Sequence, residues 1–140
     1  MTDREMTLEE IEGHLNKTHL AFLATVRKDG SPHVAPVWYE HKEGKVFIIT
    51  NDTAAKVYNI RRDPRVSVSI ATPGEPYCYA LFHGEAQITT GNLEAVLTSI
   101  CVRYKGEEEG KAFSEELLGY GNAVVIEITP SRVISWTMGP

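Results

Sequence analysis

Cysteine is scarce in this sequence: Cys78 and Cys101 are the two cysteines among 140 residues, and they lie far apart. No CxxC pair is present, which argues against a structural zinc site, since such sites take four Cys or His ligands in spaced pairs. The five histidines show no metal-ligand spacing either. We therefore expect two reduced, partly buried thiols and no metal site.

Long apolar runs and an excess of basic residues are also missing. No run approaches the roughly 18 residues that a membrane helix needs, and the first twelve residues are acidic and polar, unlike a secretory signal. The formal net charge of -5 argues against a general nucleic-acid binder, which needs a basic face to neutralise phosphates. We expect a cytoplasmic protein with neither nucleic acid nor membrane as a partner.

Familiar catalytic signatures are absent as well. There is no GxGxxG after a strand and no βαβ alternation, so a dinucleotide-binding fold is excluded. No Ser-His-Asp or nucleophile-elbow pattern is present. What remains is a composition typical of a globular protein, 42% apolar and 24% charged, and we expect a single domain over residues 1–140.

Short apolar and β-branched runs separated by turn residues dominate the chain. Asp29-Gly30 is a strong hairpin signal, and Glu43-Gly44 marks a second turn. Gly84 predicts a bend in a long strand, and Pro130 an interruption in the last one. The pattern predicts a mainly β barrel of about six strands, at residues 20–26, 32–40, 45–50, 65–71, 77–89 and 123–136.

Helices are predicted at a few corners of this barrel. A helix is predicted over 7–15, and Thr7 and Glu10 form a T-x-x-E capping box at its start. Asp52 is expected to cap a helix that Pro64 ends. The later pattern predicts a helix over 92–104, a solvated acidic turn over 105–110 and a further short helix over 113–118.

Residues 50–65 carry most of the chemical information. Basic residues outnumber acidic ones there, in a chain that is otherwise acidic, and Lys56 follows the predicted start of a helix. A helix N-terminus with a nearby lysine is a competent phosphate site. A solvated, charged helix face explains the same pattern, and the residues alone leave both interpretations open.

Six short segments, taken in order, resemble the pyridoxamine-phosphate-oxidase-like split-barrel superfamily, and within it the short members described as F420-dependent oxidoreductases. The resemblance spans nearly the whole chain. The segments are residues 23–26, 29–33, 36–39, 50–66, 84–86 and 134–136.

This resemblance implies a six-stranded antiparallel split barrel of Greek-key type with flanking helices. It also implies a homodimer with two interfacial sites for FMN or coenzyme F420. Lys56 would contact the cofactor phosphate with Arg61 as a second ligand, and Tyr79 and Trp136 would reach the site from the partner subunit. The expected cofactor-binding residues are Val34, Ala35, Pro36, Val37 and Trp38 beside the ring system, Thr50 and Asn51 near the tail, Ala55, Lys56, Asn59, Arg61, Tyr79 and Trp136.

Two departures separate this chain from the parent oxidases. Their Ser-Arg-Lys element is Ala54-Ala55-Lys56 here, and the Arg-x-His substrate element expected in a C-terminal extension is missing. Vitamin B6 oxidation is therefore not expected. We expect an oxidoreductase that transfers a hydride to or from a small organic molecule. The alternatives are a non-catalytic flavin carrier, a heme-binding relative on the same fold, and an interaction domain without a cofactor.

Overall fold

A curled antiparallel sheet with helices at its ends makes up the protein. The computed structural model describes residues 3–139. None of the helices in this range has both the length and the hydropathy of a membrane-spanning segment. The elements are α1 Leu8–Leu15, β1 Ala21–Val26, β2 Pro32–Val37, β3 Tyr39–Lys42, β4 Lys45–Asn51, α2 Ala55–Arg62, β5 Arg65–Ala71, β6 Cys78–Thr89, α3 Leu93–Lys105, α4 Glu107–Gly119 and β7 Ala123–Thr137.

The strand order shows why the sheet curls. Its order is β2-β1-β5-β6-β7-β4-β3, with antiparallel pairing throughout. Strands β2 and β3 are the two edges, yet Trp38 is the sole residue between them, so both edges must lie close together. Strand β4 lies beside β7 rather than β5, which is a Greek-key arrangement. The predicted mainly β split barrel is confirmed. The strand count is seven rather than six, because the strand predicted over 32–40 divides at Trp38.

Alternating burial along the strands builds the core. On β5, Val66, Val68 and Ile70 are buried while Ser67 and Ser69 are partly exposed, as the sequence alternation predicts. Strand β4 departs from alternation, because α3 covers its second face. Phe47 there packs against Ile100 of α3 in a second cluster. Each fully buried aliphatic side chain contributes about 1.5–3 kcal/mol to folding.

The first two helices start differently. The capping box of α1 is confirmed, since Thr7 Oγ1 accepts from the Glu10 amide and the Glu10 carboxylate accepts from the Thr7 amide. The predicted cap of α2 is wrong. Its N-cap is Ala54, without any side-chain cap, because Asp52 is held upstream by an amide hydrogen bond to the Asn122 carbonyl. Helix α2 therefore begins with its N-terminal N–H groups unsatisfied by a side chain.

Helix α4 corrects a second prediction. Residues 107–110 belong to a thirteen-residue helix rather than to an acidic turn, and Gly106 alone, with φ 91°, makes the corner after α3. Glu107, Glu108 and Glu109 stand in the first turn, where the helix dipole favours negative charge. Gly110 permits close contact between the helices, since a Cβ there would lie 2.6 Å from the Val102 amide nitrogen. The predicted short helix over 113–118 is the second half of α4.

The last two long strands are irregular where Gly84 and Pro130 meet, but the predicted interruption at Pro130 is wrong, since β7 continues through it from Ala123 to Thr137. The register between β6 and β7 shifts between His83 and Gly84, and Gly84 is paired with Pro130. A side chain at Gly84 would collide with the Thr129 carbonyl, so this close approach requires glycine.

Candidate functional site

A cleft of about 580 Å³ lies where the edge strands meet the helices. Its floor comes from the ends of β2 and β4 and the start of β7, and its wall from α3 and α4. The residues around it are Leu20, Pro36, Val37, Trp38, Ile49, Thr50, Asn51, Lys56, Leu97, Phe113, Leu117, Tyr120, Asn122 and Ala123. The lining is mostly apolar, and its polar side chains are uncharged except for Lys56.

Aromatic side chains fix the geometry of the apolar part. Trp38 lies parallel to Tyr104, with ring centroids 4.8 Å apart and an interplanar angle of 2°. Phe113 meets the same indole edge-on, at 6.0 Å and 64°. Tyr104 is itself held, because its hydroxyl donates to the His19 carbonyl at 2.6 Å and accepts from the Tyr39 amide at 3.2 Å. The indole therefore forms a rigid flat surface in the cleft.

The polar part of the cleft centres on Lys56 in the first turn of α2. Burial lowers the pKa of its ammonium group, which means that the charge is partly removed from water. Within residues 3–139, no carboxylate forms a salt bridge with it. An anion at this position would restore the lost solvation.

The backbone at the start of α2 adds donors next to this charge. Asn51 Oδ1 accepts from the Thr53 amide at 3.1 Å and the Thr53 hydroxyl at 2.8 Å, which holds the loop before the helix. In the described part of the chain, the amides of Ala55 and Lys56 donate to no acceptor. Two free N–H groups and one partly desolvated ammonium make a site suited to a phosphate.

Six of the residues predicted from the sequence line this cleft. They come from the end of one strand, the end of another and the first turn of a helix, which the sheet topology brings together. These residues are Pro36, Val37, Trp38, Thr50, Asn51 and Lys56.

The other predicted residues lie outside the lining. On β2, Val34 is 60% exposed and Ala35 is partly exposed. On α2, Ala55 and Arg61 are exposed. Asn59 is buried, with its amide committed to other parts of the fold. Its Nδ2 donates to Thr25 Oγ1 at 3.0 Å, and its Oδ1 accepts from Arg62 Nη2 at 3.0 Å. This side chain joins α2 to β1.

Tyr79 and Trp136 form a separate pair. They are cross-strand partners on β6 and β7, with ring centroids 6.1 Å apart and an interplanar angle of 21°. Neither residue lines the cleft of its own chain.

Sequence reasoning missed the helical wall of the cleft. Phe113 and Leu117 of α4 and its C-cap Tyr120 are spaced i, i+4 and i+7, so they lie on one face. This spacing was visible in the sequence. The glycines and glutamates that precede it concealed the first half of the helix.

Comparison with known proteins identifies the family. The model described as pyridoxamine 5'-phosphate oxidase matches residues 7–137. The chain belongs to the pyridoxamine 5'-phosphate oxidase family. Among solved structures of this family's fold, the conserved hypothetical protein Rv2991 from Mycobacterium tuberculosis is 30% identical, with a TM-score of 0.82 over 94% of this chain and 85% of that one.

Two further structures share the split barrel at lower identity. An F420 reductase is 24% identical, with a TM-score of 0.70, over 87% of this chain and 94% of its own. A FAD-binding protein (mll6688) from Mesorhizobium loti is 18% identical, with a TM-score of 0.72, over 100% of this chain and 99% of its own. At these identities the likeness shows the fold.

Proposed function

We propose that this member of the pyridoxamine 5'-phosphate oxidase family binds F420 or FMN in the cleft and transfers a hydride to or from a small organic molecule. The observation that carries the proposal is the partly buried ammonium of Lys56 beside two free helix amides. A phosphate there would accept three charge-assisted hydrogen bonds. The flat apolar surface next to it suits a ring system attached to that phosphate.

When bound, the flavin or deazaflavin supplies the hydride chemistry. The residues of this chain bind and orient the cofactor and exclude water from it. Lys56 and the first turn of α2 hold the phosphate, and Trp38 supplies a surface whose position Tyr104 fixes before binding. Phe113 and Leu117 of α4 shield that surface from solvent. Among the described lining residues there is no carboxylic acid and no histidine, and Lys56 is assigned to the phosphate, so we propose solvent as the source of the proton that accompanies the hydride.

We propose F420 rather than FMN on the basis of one further cation, Arg61, which lies on α2 outside the cleft lining. Both cofactors carry a phosphate, so Lys56 binds either. F420 has a longer anionic tail, for which the exposed Arg61 at the far end of α2 offers a further cation. The structural likeness to an F420 reductase agrees with this preference.

We also propose a homodimer formed by the outer face of the sheet. Phe22 and Pro36 are cross-strand partners there, and Phe22 is 42% and Val34 60% exposed, so β1 and β2 present apolar side chains outward. Leu81 continues this face two strands away, through the pairs Phe22 with Ser69 and Ser69 with Leu81. Exposed apolar side chains on one face, here on either side of Ser69, are typical of an interface.

The cofactor proposal is tested by titrating the protein with FMN and with F420 while following quenching of cofactor fluorescence. We expect micromolar or tighter binding, weakened roughly 10–100-fold in Lys56→Ala, because a hydrogen bond to a charged group is worth about 1.5–3 kcal/mol. Lys28→Ala, in the exposed β1–β2 turn, should bind as the wild type does. Equal affinities in all three proteins would overturn the phosphate site.

Turnover separates an enzyme from the alternatives. Steady oxidation of reduced F420 or FMN in the presence of a screened acceptor supports the oxidoreductase, whereas tight binding without turnover indicates a carrier. A Soret band on adding heme, with no flavin binding, would move the protein to the heme-binding relatives.

The dimer is tested by light scattering on the eluting protein. Val34→Asp should shift the mass toward the monomer, because it places a charge in the proposed interface. Leu8→Asp is the matched control, since Leu8 is 83% exposed on α1, away from this face. A monomeric wild type would refute the homodimer.

A further inference from the structure

A cysteine and a histidine meet outside the cleft, at the start of β6. His14 lies in the last turn of α1 and is 5% exposed. Its Nε2 lies 2.7 Å from the Ile70 carbonyl oxygen, which can only accept a hydrogen bond, so Nε2 carries the proton of the neutral ring. Nδ1 then has a free lone pair, and Cys78 Sγ lies 3.5 Å from it. The thiol therefore donates to His14.

This arrangement is that of a nucleophile with an oriented base. The imidazole is placed next to the thiol, and the Ile70 carbonyl fixes its tautomer. Burial raises the pKa of the Cys78 thiol, so the group is protonated at neutral pH and needs a base to react.

The two cysteines differ in access. Cys78 is partly exposed and follows exposed residues of the loop at 75–77, whereas Cys101 is completely buried in α3. Side chains alternate along β6, so Cys78 points away from the face that carries Tyr79 and Leu81. The proposed dimer would therefore leave it open.

We propose that Cys78 is a thiol modification site, at which a small-molecule disulfide reacts with His14 serving as the base. Cys78 Sγ attacks one sulfur of the disulfide while its proton moves to His14 Nδ1. A new S–S bond forms, the original S–S bond breaks, and the electron pair leaves on the departing thiolate. His14 then releases the proton to solvent. The products are a mixed disulfide on Cys78, one free thiolate and one proton, so no further oxidant is required.

The experiment uses dithiobis-nitrobenzoate as the disulfide and counts the coloured thiolate released by the folded protein. We expect one reactive thiol per chain, retained in Cys101→Ala and lost in Cys78→Ala. His14→Gln should slow the reaction roughly 100-fold, because general-base assistance is typically of that order. An inert Cys78, a Cys101 that reacts as fast, or a folded His14→Gln protein with an unchanged rate would each overturn the proposal.

If His14→Gln fails to fold, the pH dependence of the Cys78 reaction rate in the Cys101→Ala protein tests the role of His14. A rate assisted by a neutral base levels off with rising pH, whereas the rate of an unassisted thiol gains about tenfold per pH unit up to the pKa of that thiol. Two charged neighbours act on Cys78, namely Glu10 and Lys17. The His19 ring stacks on His14, and Lys17 and Arg103 act on His19 in turn. A rate that keeps rising through pH 9 would contradict the assignment.

Discussion

Trp38 lies flat against Tyr104, with an interplanar angle of 2°. Trp38 is also the sole residue between the two edge strands, so α3 holds the chain at the point where it crosses from one edge of the sheet to the other. The surface offered to a ring in the cleft is therefore fixed by the fold. Such preorganisation reduces the entropy that binding would otherwise cost.

Replacing Tyr104 separates its hydrogen bonds from its stacking. Tyr104→Phe removes a hydroxyl that bonds His19 and Tyr39, so we expect a loss of about 1 kcal/mol in the free energy of unfolding with the stack preserved. Tyr104→Leu also removes the stack and should release the indole. The measurements are urea denaturation and near-UV circular dichroism in a Trp136→Phe background, where Trp38 is the remaining tryptophan. An unchanged indole signal in Tyr104→Leu would show that α3 does not hold Trp38.

The contact between α3 and α4 should be sensitive to a single methyl group. In Gly110→Ala the added Cβ would lie 2.6 Å from the Val102 amide nitrogen and 2.7 Å from the Cys101 carbonyl oxygen. Because backbone atoms cannot move aside easily, we expect the free energy of unfolding to fall by about 1–3 kcal/mol. Cofactor affinity should fall as well, since α4 forms the wall of the cleft.

Gly13→Ala is the matched control for this substitution. Gly13 is also helical, but a Cβ there meets nothing within 4 Å. Alanine should stabilise α1 by up to about 1 kcal/mol, because it is the better helix former. Thermal melts of both variants check the pair, and equal effects would show that helix propensity, not close packing, governs Gly110.

Local signals in the sequence were sufficient for most of the barrel. The alternation of β5 and the capping box of α1 depend on neighbouring residues, and the structure confirms both. The division at Trp38 could not be read in this way. An apolar run continues through it, and the break depends on the closure of the sheet. The cap at Asp52 failed for a similar reason, since a tertiary bond to Asn122 holds its amide.

The candidate site was predictable only in part for the same physical reason. Lys56 and Trp38 lie in segments that resemble the family, and the topology brings them to one cleft. Phe113 and Tyr120 reach that cleft from a helix whose start was concealed. Whether Tyr79 takes part depends on a second chain, which no pattern within one chain describes.

A substitution of Asn59 distinguishes a role in stability from a role in cofactor binding. Its buried amide bonds Thr25 and Arg62, so Asn59→Ala should lower the free energy of unfolding by about 1–3 kcal/mol through the groups left unpaired. The affinity of the folded protein for FMN or F420 should stay unchanged, because the side chain does not line the cleft. Thr25→Val, combined with it in a double-mutant cycle, measures the bond directly. A large loss of affinity at unchanged stability would place Asn59 in the cofactor site.

We expect Lys56 to lower the free energy of unfolding of the cofactor-free protein. Burial places the pKa of its ammonium in the folded state below its unfolded value of 10.5. In the pH window between those two values the unfolded chain binds more protons, so stability rises with pH there, and below the window the desolvated charge lowers stability by a constant amount. Lys56→Met removes the charge and keeps most of the volume. We therefore expect a higher melting temperature for the cofactor-free variant at neutral pH and a flatter pH dependence in the window below pH 10.5.

Added cofactor should reverse the order of the two melting temperatures, so that the wild type becomes more stable than Lys56→Met. A ligand that binds only the folded state raises the melting temperature, and a tighter ligand at the same concentration raises it further. FMN or F420 should accordingly stabilise the wild type and have little effect on Lys56→Met. Lys28→Met, whose side chain is exposed, should follow the wild type in both conditions. If Lys56→Met is destabilised without cofactor, its ammonium is compensated within the fold, and the case for a phosphate at the start of α2 fails.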